Sequence, residues 1–250
     1  MWQAFRDEII AQGHDFELVT VGLDAAGAEA CRPYVDAAFE VGRHPALVDT
    51  SHLVSELFGV VNIPNSVWID ETGMIVRPID VAPAPPSVEV KRESPFAGLT
   101  EVPDRMMEIM GEAGKIRSDP ASYDAALRDW IANGADSEFA LSAADVVARS
   151  QPRDADYATG QAHFELATHL EALGDHPAAI THFREAHRLA PDNFAYRRQA
   201  WSLEPSVEGP LKRFVQGPLQ GSDNEWPYEG DWLTDVREMG AENYYPMWQA

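Results

Sequence analysis

The chain has 250 residues, of which 45% are hydrophobic, so it can build the core of one large domain or two modest ones. Its 41 acidic and 19 basic residues give a formal net charge of −22, and such a field repels phosphate backbones and anionic lipid. The charge therefore argues against nucleic acid and membrane surfaces as partners.

The first 78 residues alternate between helix-like and strand-like segments. Residues 16–21 form an apolar run rich in β-formers, which is typical of a strand buried on both faces. Residues 66–70 and 74–77 flank a glycine-bearing turn and predict a hairpin. The predicted segments in order are a helix at 2–12, a strand at 16–21, a helix at 34–39, a strand at 45–48, a helix at 51–58 capped by Ser51, and strands at 66–70 and 74–77. This alternation indicates an α/β sheet.

The second part of the chain differs in composition. Residues 79–103 are rich in proline and show little periodicity, so they indicate a linker or an extended arm. Residues 104–204 are rich in alanine and predict an all-α domain. The tail at 205–250 is irregular, but it holds six aromatic residues between Trp226 and Trp248. Because disordered tails are poor in aromatic residues, we expect this one to dock on the body of the protein.

One segment of the helical part, residues 160–193, is 34 residues long and resembles a single tetratricopeptide (TPR) repeat. Small side chains at Ala167 and Ala179 let two antiparallel helices approach closely, and Phe183 fills the space between them. Only one copy is convincing, whereas about three stacked repeats are needed to bury a continuous core. The repeat is either a peptide-binding groove or a helical packing unit, and the single copy favours the packing unit.

The segment ELFGVVNIPNSVWIDETGMIVRP, residues 56–78, resembles TlpA/ResA-type thioredoxin-like proteins. In that family a helix leads to an Ile-Pro, then to a strand ending in Ile-Asp, an acidic-Gly turn and a second strand. The resemblance implies an α/β thioredoxin-like domain at 1–78, followed by the all-α TPR-like domain. It also implies that Pro64 is a cis-proline beside a redox-active CxxC, with Ile63, Pro64 and Asn65 at the substrate-binding edge.

The redox motif of that family is missing from this chain. The resemblance places a central strand and the CxxC a few positions before Met1, so this domain is incomplete at its N-terminus. A start codon assigned too late, or a selenocysteine codon read as stop, would account for the loss. The upstream genomic reading frame tests both hypotheses. If another segment does not fill the strand position, exposed strand edges favour homo-oligomers.

Cys31 is the only cysteine, so this chain contains no CxxC, no internal disulfide and no zinc site made of several cysteines. As a candidate reactive thiol, Cys31 has no resolving partner. The resemblance places it on the second helix, where an apolar residue is usual. A half-buried, reduced thiol is therefore the favoured interpretation.

Metal and cofactor motifs are also missing. Five histidines lie between His163 and His187, but no two of them have the i, i+4 spacing of a helical metal site, and HExxH does not occur. The glycine-rich nucleotide motifs and the GxSxG motif do not occur either. We expect no metal and no cofactor.

Two functions stay open at this point. The resemblance implies a thiol–disulfide oxidoreductase type of protein, acting on a thiol or disulfide substrate, that is redox-inactive in this chain because its CxxC is missing. The alternative is a redox-dead interaction or scaffold protein that binds a protein partner through the TPR-like helices. With no apolar run of roughly 18 residues and no signal-like N-terminus, we expect a cytoplasmic location.

Overall fold

The structure is a computed structural model, and most of the chain is described by it. The described residues are 2–33, 35, 44–85, 102–150, 152–204, 216–218, 225–246 and 248. The chain divides into two compact units. The α/β unit comprises Met1–Val90, Ser118–Ala155 and Trp248–Ala250, and the helical unit comprises Lys91–Arg117 and Asp156–Met247.

Among the described residues helices predominate, and four short strands lie in the first third of the chain. The elements in chain order are α1 (Trp2–Ala11), β1 (Thr20–Leu23), α2 (helical over 28–33 and at 35), β2 (Ala46–Asp49), α3 (Leu53–Phe58), β3 (Asn65–Ile69), β4 (Ile75–Val81), α4 (Asp104–Ala113), α5 (Pro120–Asn133), a 3-10 turn (Gly134–Asp136), α6 (Ala143–Arg149), α7 (Ala155–Ala172), α8 (His176–Leu189), α9 (Phe194–Leu203), α10 (Trp232–Met239) and a second 3-10 turn (Ala241–Asn243). Most of the helix predicted at 34–39 lies outside the described residues.

The described strands form two separate two-stranded ladders. β1 pairs with β2 in parallel, with Thr20 opposite Ala46 and Leu23 opposite Asp49. β3 pairs with β4 in antiparallel orientation, and this is the hairpin that the glycine-bearing turn predicts. Within the described ranges, β1 has β2 as its single ladder neighbour and β3 has β4. Both β1 and β3 therefore present an edge to which no described strand is paired.

The first strand is shorter and less buried than the sequence predicts. It begins at Thr20, and all four of its residues are half-buried. The residues before it are held by side chains and not by a ladder. The ring of Phe16 packs edge-on against Phe5 of α1, with centroids 5.9 Å apart, and Arg6 donates to Glu17 at 2.7 Å. These contacts with α1 replace strand pairing.

The cap of α3 also differs from the prediction. Asp49, at the end of β2, accepts hydrogen bonds from the backbone N–H groups of Leu53 and Val54, at 3.0 and 2.7 Å. Ser51, the predicted cap, instead donates to Asp49 at 3.3 Å. The chain reverses at His52, whose φ of 59° is left-handed. That turn brings the carboxylate over the start of the helix, where free N–H groups bind it.

The core of the α/β unit is aromatic, and α5 supplies much of it. Tyr123 and Trp130, seven residues apart on one face of α5, pack against Trp68 of β3 with ring centroids 6.0 and 5.1 Å away. Tyr123 is 1% exposed, and its hydroxyl accepts from the indole N–H of Trp68. Sequence composition placed α5 in the helical domain at 104–204, whereas its packing joins it to the strands.

The helical unit is built around the hairpin of α7 and α8. The ring centroids of Phe164 and Phe183 lie 5.7 Å apart, and a Cβ added to Gly160 would lie 3.0 Å from the Cβ of Leu189. Gly160 precedes Phe164 along α7, whereas its neighbour Leu189 follows Phe183 along α8. The two helices are therefore antiparallel. Ala167 and the core positions of α8 are fully buried, as the close approach of two helices requires.

Part of the aromatic tail is ordered in the same unit. Tyr228, Trp232 and Tyr244 are buried in the core that contains α7, α8 and α9. Residues 232–239 form α10, which the sequence left as irregular, and Asp231 caps it by accepting from two backbone N–H groups. The proline-rich arm begins later than predicted, because β4 continues to Val81. Residues 86–101 of the arm, and 205–215 and 219–224 of the tail, lie outside the described residues.

Candidate functional site

The three residues that the resemblance assigns to a substrate-binding edge lie together at the start of β3. The Ile63–Pro64 peptide bond is cis, and both side chains are exposed. The carbonyl of Pro64 accepts from the backbone N–H of Ala82 at 3.0 Å, which fixes the loop to the end of β4. The N–H of Ile63 donates to the buried side chain of Asn62 at 2.9 Å. Hydrogen bonds to Ala82 and Asn62 thus hold the backbone of the loop, while the side chains of Ile63 and Pro64 are exposed.

Asn65 strengthens the same loop. In the orientation that satisfies its neighbours, its amide nitrogen donates to the carbonyls of Pro64 and Asn62, at 2.8 and 3.0 Å. Its backbone begins the ladder opposite Val81. The residue therefore positions Pro64 and leaves Ile63, 39% exposed, as the apolar contact surface of the loop.

Exposed apolar side chains accompany the two strand edges to which no described strand is paired. Val19 and Leu47, which flank or lie within the β1–β2 ladder, are each 53% exposed, and Ile69 at the end of β3 is 47% exposed. Single exposed apolar residues are ordinary on a protein surface, but here they occur at strands that also have a free edge. This combination can bind an extended segment through its backbone and its side chains.

Cys31 does not have the surroundings of a reactive thiol. It is a free cysteine, 6% exposed, and its Sγ lies 3.2 Å from the position that a Cβ on Gly22 of β1 would occupy. Burial raises the pKa of the thiol, and the negative charge of Asp24 raises it further. Because the thiolate is the nucleophile, a raised pKa and a closed environment favour the interpretation of an unreactive, reduced side chain.

Two further polar side chains, His52 and Arg77, are buried in the α/β unit. His52 is fully buried, and burial lowers its pKa to about 4 against the opposing charge of Asp49, so the ring is neutral at physiological pH. Arg77 is 1% exposed between the rings of Trp68 and Trp248. Spacing along the chain gave no signal for the burial of Arg77, because Trp68 and Trp248, the rings that enclose it, come from other segments.

The helical unit contains a chain of titratable groups. His176, at the start of α8, hydrogen-bonds Glu171 at 2.7 Å and lies 3.6 Å from the buried Glu204. Burial lowers the pKa of His176, but the hydrogen bond and the charges of the two glutamates outweigh burial, so its pKa is raised. Burial raises the pKa of Glu204 and of the neighbouring Tyr228. These contacts link the turn between α7 and α8 to the end of α9.

A surface depression of about 410 Å³ lies in the helical unit. It is lined by Arg184, Glu225, Trp226, Pro227, Tyr228 and Glu229. Neither a cysteine nor a histidine is among these side chains, so the depression brings no thiol or imidazole chemistry to the surface. Within the described ranges, no group of three or more His, Cys, Asp or Glu side chains is arranged to hold a metal ion.

Comparisons with known proteins identify no relative. No protein-family model matches the chain, and neither the curated proteins nor the solved structures give a significant match. In the parts of the chain that the structure describes, no helix is both long enough and apolar enough to cross a membrane.

Proposed function

We propose that this chain is a redox-inactive, thioredoxin-like interaction protein whose α/β unit binds an extended polypeptide segment by adding a strand to β3. The observation that carries the proposal is the free edge of β3 beside an exposed loop. Among the described residues β3 pairs with β4 alone, and Ile63 and Pro64 lie exposed directly before it. Backbone hydrogen bonds along a free edge supply affinity, and side chains beside the edge supply specificity.

The same proposal assigns no disulfide chemistry to the chain as given. Thiol–disulfide exchange needs an attacking thiolate and a second thiol that resolves the mixed disulfide. Cys31 is the only cysteine, and burial raises its pKa. The loop that shapes a substrate edge in the oxidoreductases acts here as a binding surface. We propose that the protein works in the cytoplasm, where a lone thiol stays reduced.

An insulin-reduction assay tests the absence of redox activity. We expect no turnover from the wild-type chain. Turnover that survives Cys31→Ser would contradict the account of a redox-inactive chain outright. Turnover that disappears in Cys31→Ser would show that the buried thiol reacts after all, and would contradict the inference drawn from its burial.

Peptide selection tests the binding surface. Short random peptides displayed on phage are selected against the chain, and the affinity of a synthetic winner is measured by calorimetry. Ile63→Asp places a charge beside the edge of β3, and we expect it to weaken binding by at least about tenfold, or 1.4 kcal/mol. Leu173→Asp is the matched control, since Leu173 is 69% exposed in the helical unit.

Three outcomes contradict strand addition at β3. They are the recovery of no binding peptide, equal affinity for the wild type and Ile63→Asp, and a loss confined to Leu173→Asp. The last outcome favours the alternative, in which the TPR-like hairpin binds the partner. The packing of α7 and α8 into the core of their own unit supports the weaker role of a helical packing unit for that hairpin.

A further inference from the structure

His163 of α7 and His182 of α8 face one another across the helical hairpin. Their Nδ1 atoms lie 2.8 Å apart, and the ring centroids are 5.0 Å apart with the planes inclined by 31°. Both side chains are half-buried, so solvent reaches them while the two helices hold their positions. The hairpin thus holds two imidazole nitrogens close together before any ion binds.

The spacing of the two nitrogens suits a single metal ion. An imidazole nitrogen binds a first-row divalent ion at about 2.0–2.1 Å. Two such bonds at a right angle separate the nitrogens by roughly 2.9 Å, and two at the tetrahedral angle by roughly 3.3 Å. The observed 2.8 Å matches the right angle. Adjacent positions at a right angle occur in tetragonal Cu²⁺ and Ni²⁺ complexes, and imidazole suits both ions.

We propose that His163 and His182 form a two-histidine site for a tetragonal divalent transition-metal ion, Cu²⁺ or Ni²⁺, with water in the remaining positions. In the metal-free chain one Nδ1–H donates to the other Nδ1, since each neutral ring has one donor and one acceptor. When the ion binds, that proton moves to Nε2 of the same ring by tautomerisation. Both Nδ1 lone pairs then bind the ion, and neither ring changes its charge.

The surroundings favour a cation at this position. The carboxylate of Glu185, three residues after His182, interacts electrostatically with both imidazoles. Arg188 pairs with Glu185 at 2.8 Å, so this carboxylate contributes negative potential and is not counted as a ligand. The net charge of −22 raises the concentration of cations near the protein. The site is therefore a two-donor chelate, weaker than a complete structural metal centre.

Calorimetric titration of the untagged chain with NiCl₂ and CuCl₂ tests the site. We expect one ion per chain, and a loss of affinity of at least about tenfold, or 1.4 kcal/mol, in both His163→Gln and His182→Gln. The matched control is His169→Gln, an exposed histidine of the same helix, which we expect to bind as the wild type does. Because a bound ion joins α7 to α8, Ni²⁺ should also raise the Tm of the wild type and His169→Gln, and leave His163→Gln unchanged.

Several results overturn the proposal. They are the absence of saturable binding by the wild type, unchanged affinity in His163→Gln and His182→Gln, and an equal loss of affinity in His169→Gln. A circular dichroism spectrum of each variant verifies that it is folded. Because the two histidines lie on different helices, the second variant decides the question if the first does not fold.

Discussion

Arg77 illustrates how single residues stabilise the α/β unit. Its guanidinium lies 4.5 Å from the ring of Trp248 and 5.4 Å from that of Trp68, and it pairs with Asp80 at 3.3 Å. Burial lowers the pKa of Arg77, and the charge of Asp80 opposes this effect. Two aromatic faces and one carboxylate together permit a charge at 1% exposure. The arrangement also fixes Trp248, near the end of the chain, in this unit.

Replacing Arg77 by methionine should therefore destabilise the protein strongly. We expect Arg77→Met to lower the free energy of unfolding by about 3–5 kcal/mol, because Asp80 is left partly buried without its counter-charge. Urea denaturation measures the change. The double variant Arg77→Met/Asp80→Asn removes the uncompensated charge and should recover part of the loss. A double variant as unstable as the single one would contradict this explanation.

His176 gives the helical unit a stability that depends on pH. The pKa of His176 is raised in the folded protein, so the folded state holds its proton more tightly than the unfolded state does. The stabilisation is fully present below the unfolded pKa, about 6.5, and is lost as the pH rises through the folded pKa. Glu171, Glu204 and Tyr228 are the titratable neighbours in this cluster.

The difference in unfolding free energy between the wild type and His176→Gln measures this effect. We expect a larger difference at about pH 6 than at about pH 8.5. Glu171→Gln removes the principal partner of His176 and should reduce the same pH dependence. A difference that stays constant between the two pH values would show that the contacts of His176 do not favour its protonated form.

At the scale of elements, the α7–α8 hairpin depends on a glycine. A Cβ at Gly160 would lie 3.0 Å from the Cβ of Leu189 and 3.5 Å from that of Ala190. Both neighbouring atoms are Cβ atoms fixed to the backbone at the end of α8 and directly after it, so the helices must separate to admit a methyl group. We expect Gly160→Ala to destabilise the protein by about 1 kcal/mol, as overpacking does, despite the better helix propensity of alanine.

Gly111 of α4 supplies the control for that prediction. A Cβ there meets no atom within 4 Å, so Gly111→Ala should stabilise the protein by about 0.5–1 kcal/mol through helix propensity alone. Thermal unfolding of both variants gives the comparison. Equal stabilisation by the two substitutions would mean that α7 and α8 do not pack as closely as described.

Local sequence patterns predicted most helices and strands, because a helix face or a hairpin turn is determined by a few neighbouring residues. Pairings across the chain were not predictable in this way. Tyr123 reaches Trp68 from a helix 55 residues further on, and its own pattern does not specify which core it joins. His163 and His182 are 19 residues apart and lie on different helices. The i, i+4 rule compares histidines of one helix, so it did not predict this contact. The Pro64 loop was predicted as a binding edge from the resemblance to thioredoxin-like proteins and not from periodicity.

At the scale of the whole molecule, the chain consists of two compact units, each with its own core. The α/β unit provides a strand edge and an exposed loop, and the helical unit provides a hairpin whose buried face is used within its own core. The only cysteine is enclosed beside β1. Binding by strand addition, without disulfide exchange, is the function that these features support together.

Backbone amide hydrogen exchange is the most direct test of that function. It is measured on the free chain and on its complex with a selected peptide. The account predicts that amides of β3 exchange quickly in the free chain wherever they do not pair with β4, and slow by at least about tenfold, or 1.4 kcal/mol, in the complex. If these amides are already protected in the free chain, or if the peptide protects α7 and α8 and leaves β3 unchanged, strand addition at β3 is wrong.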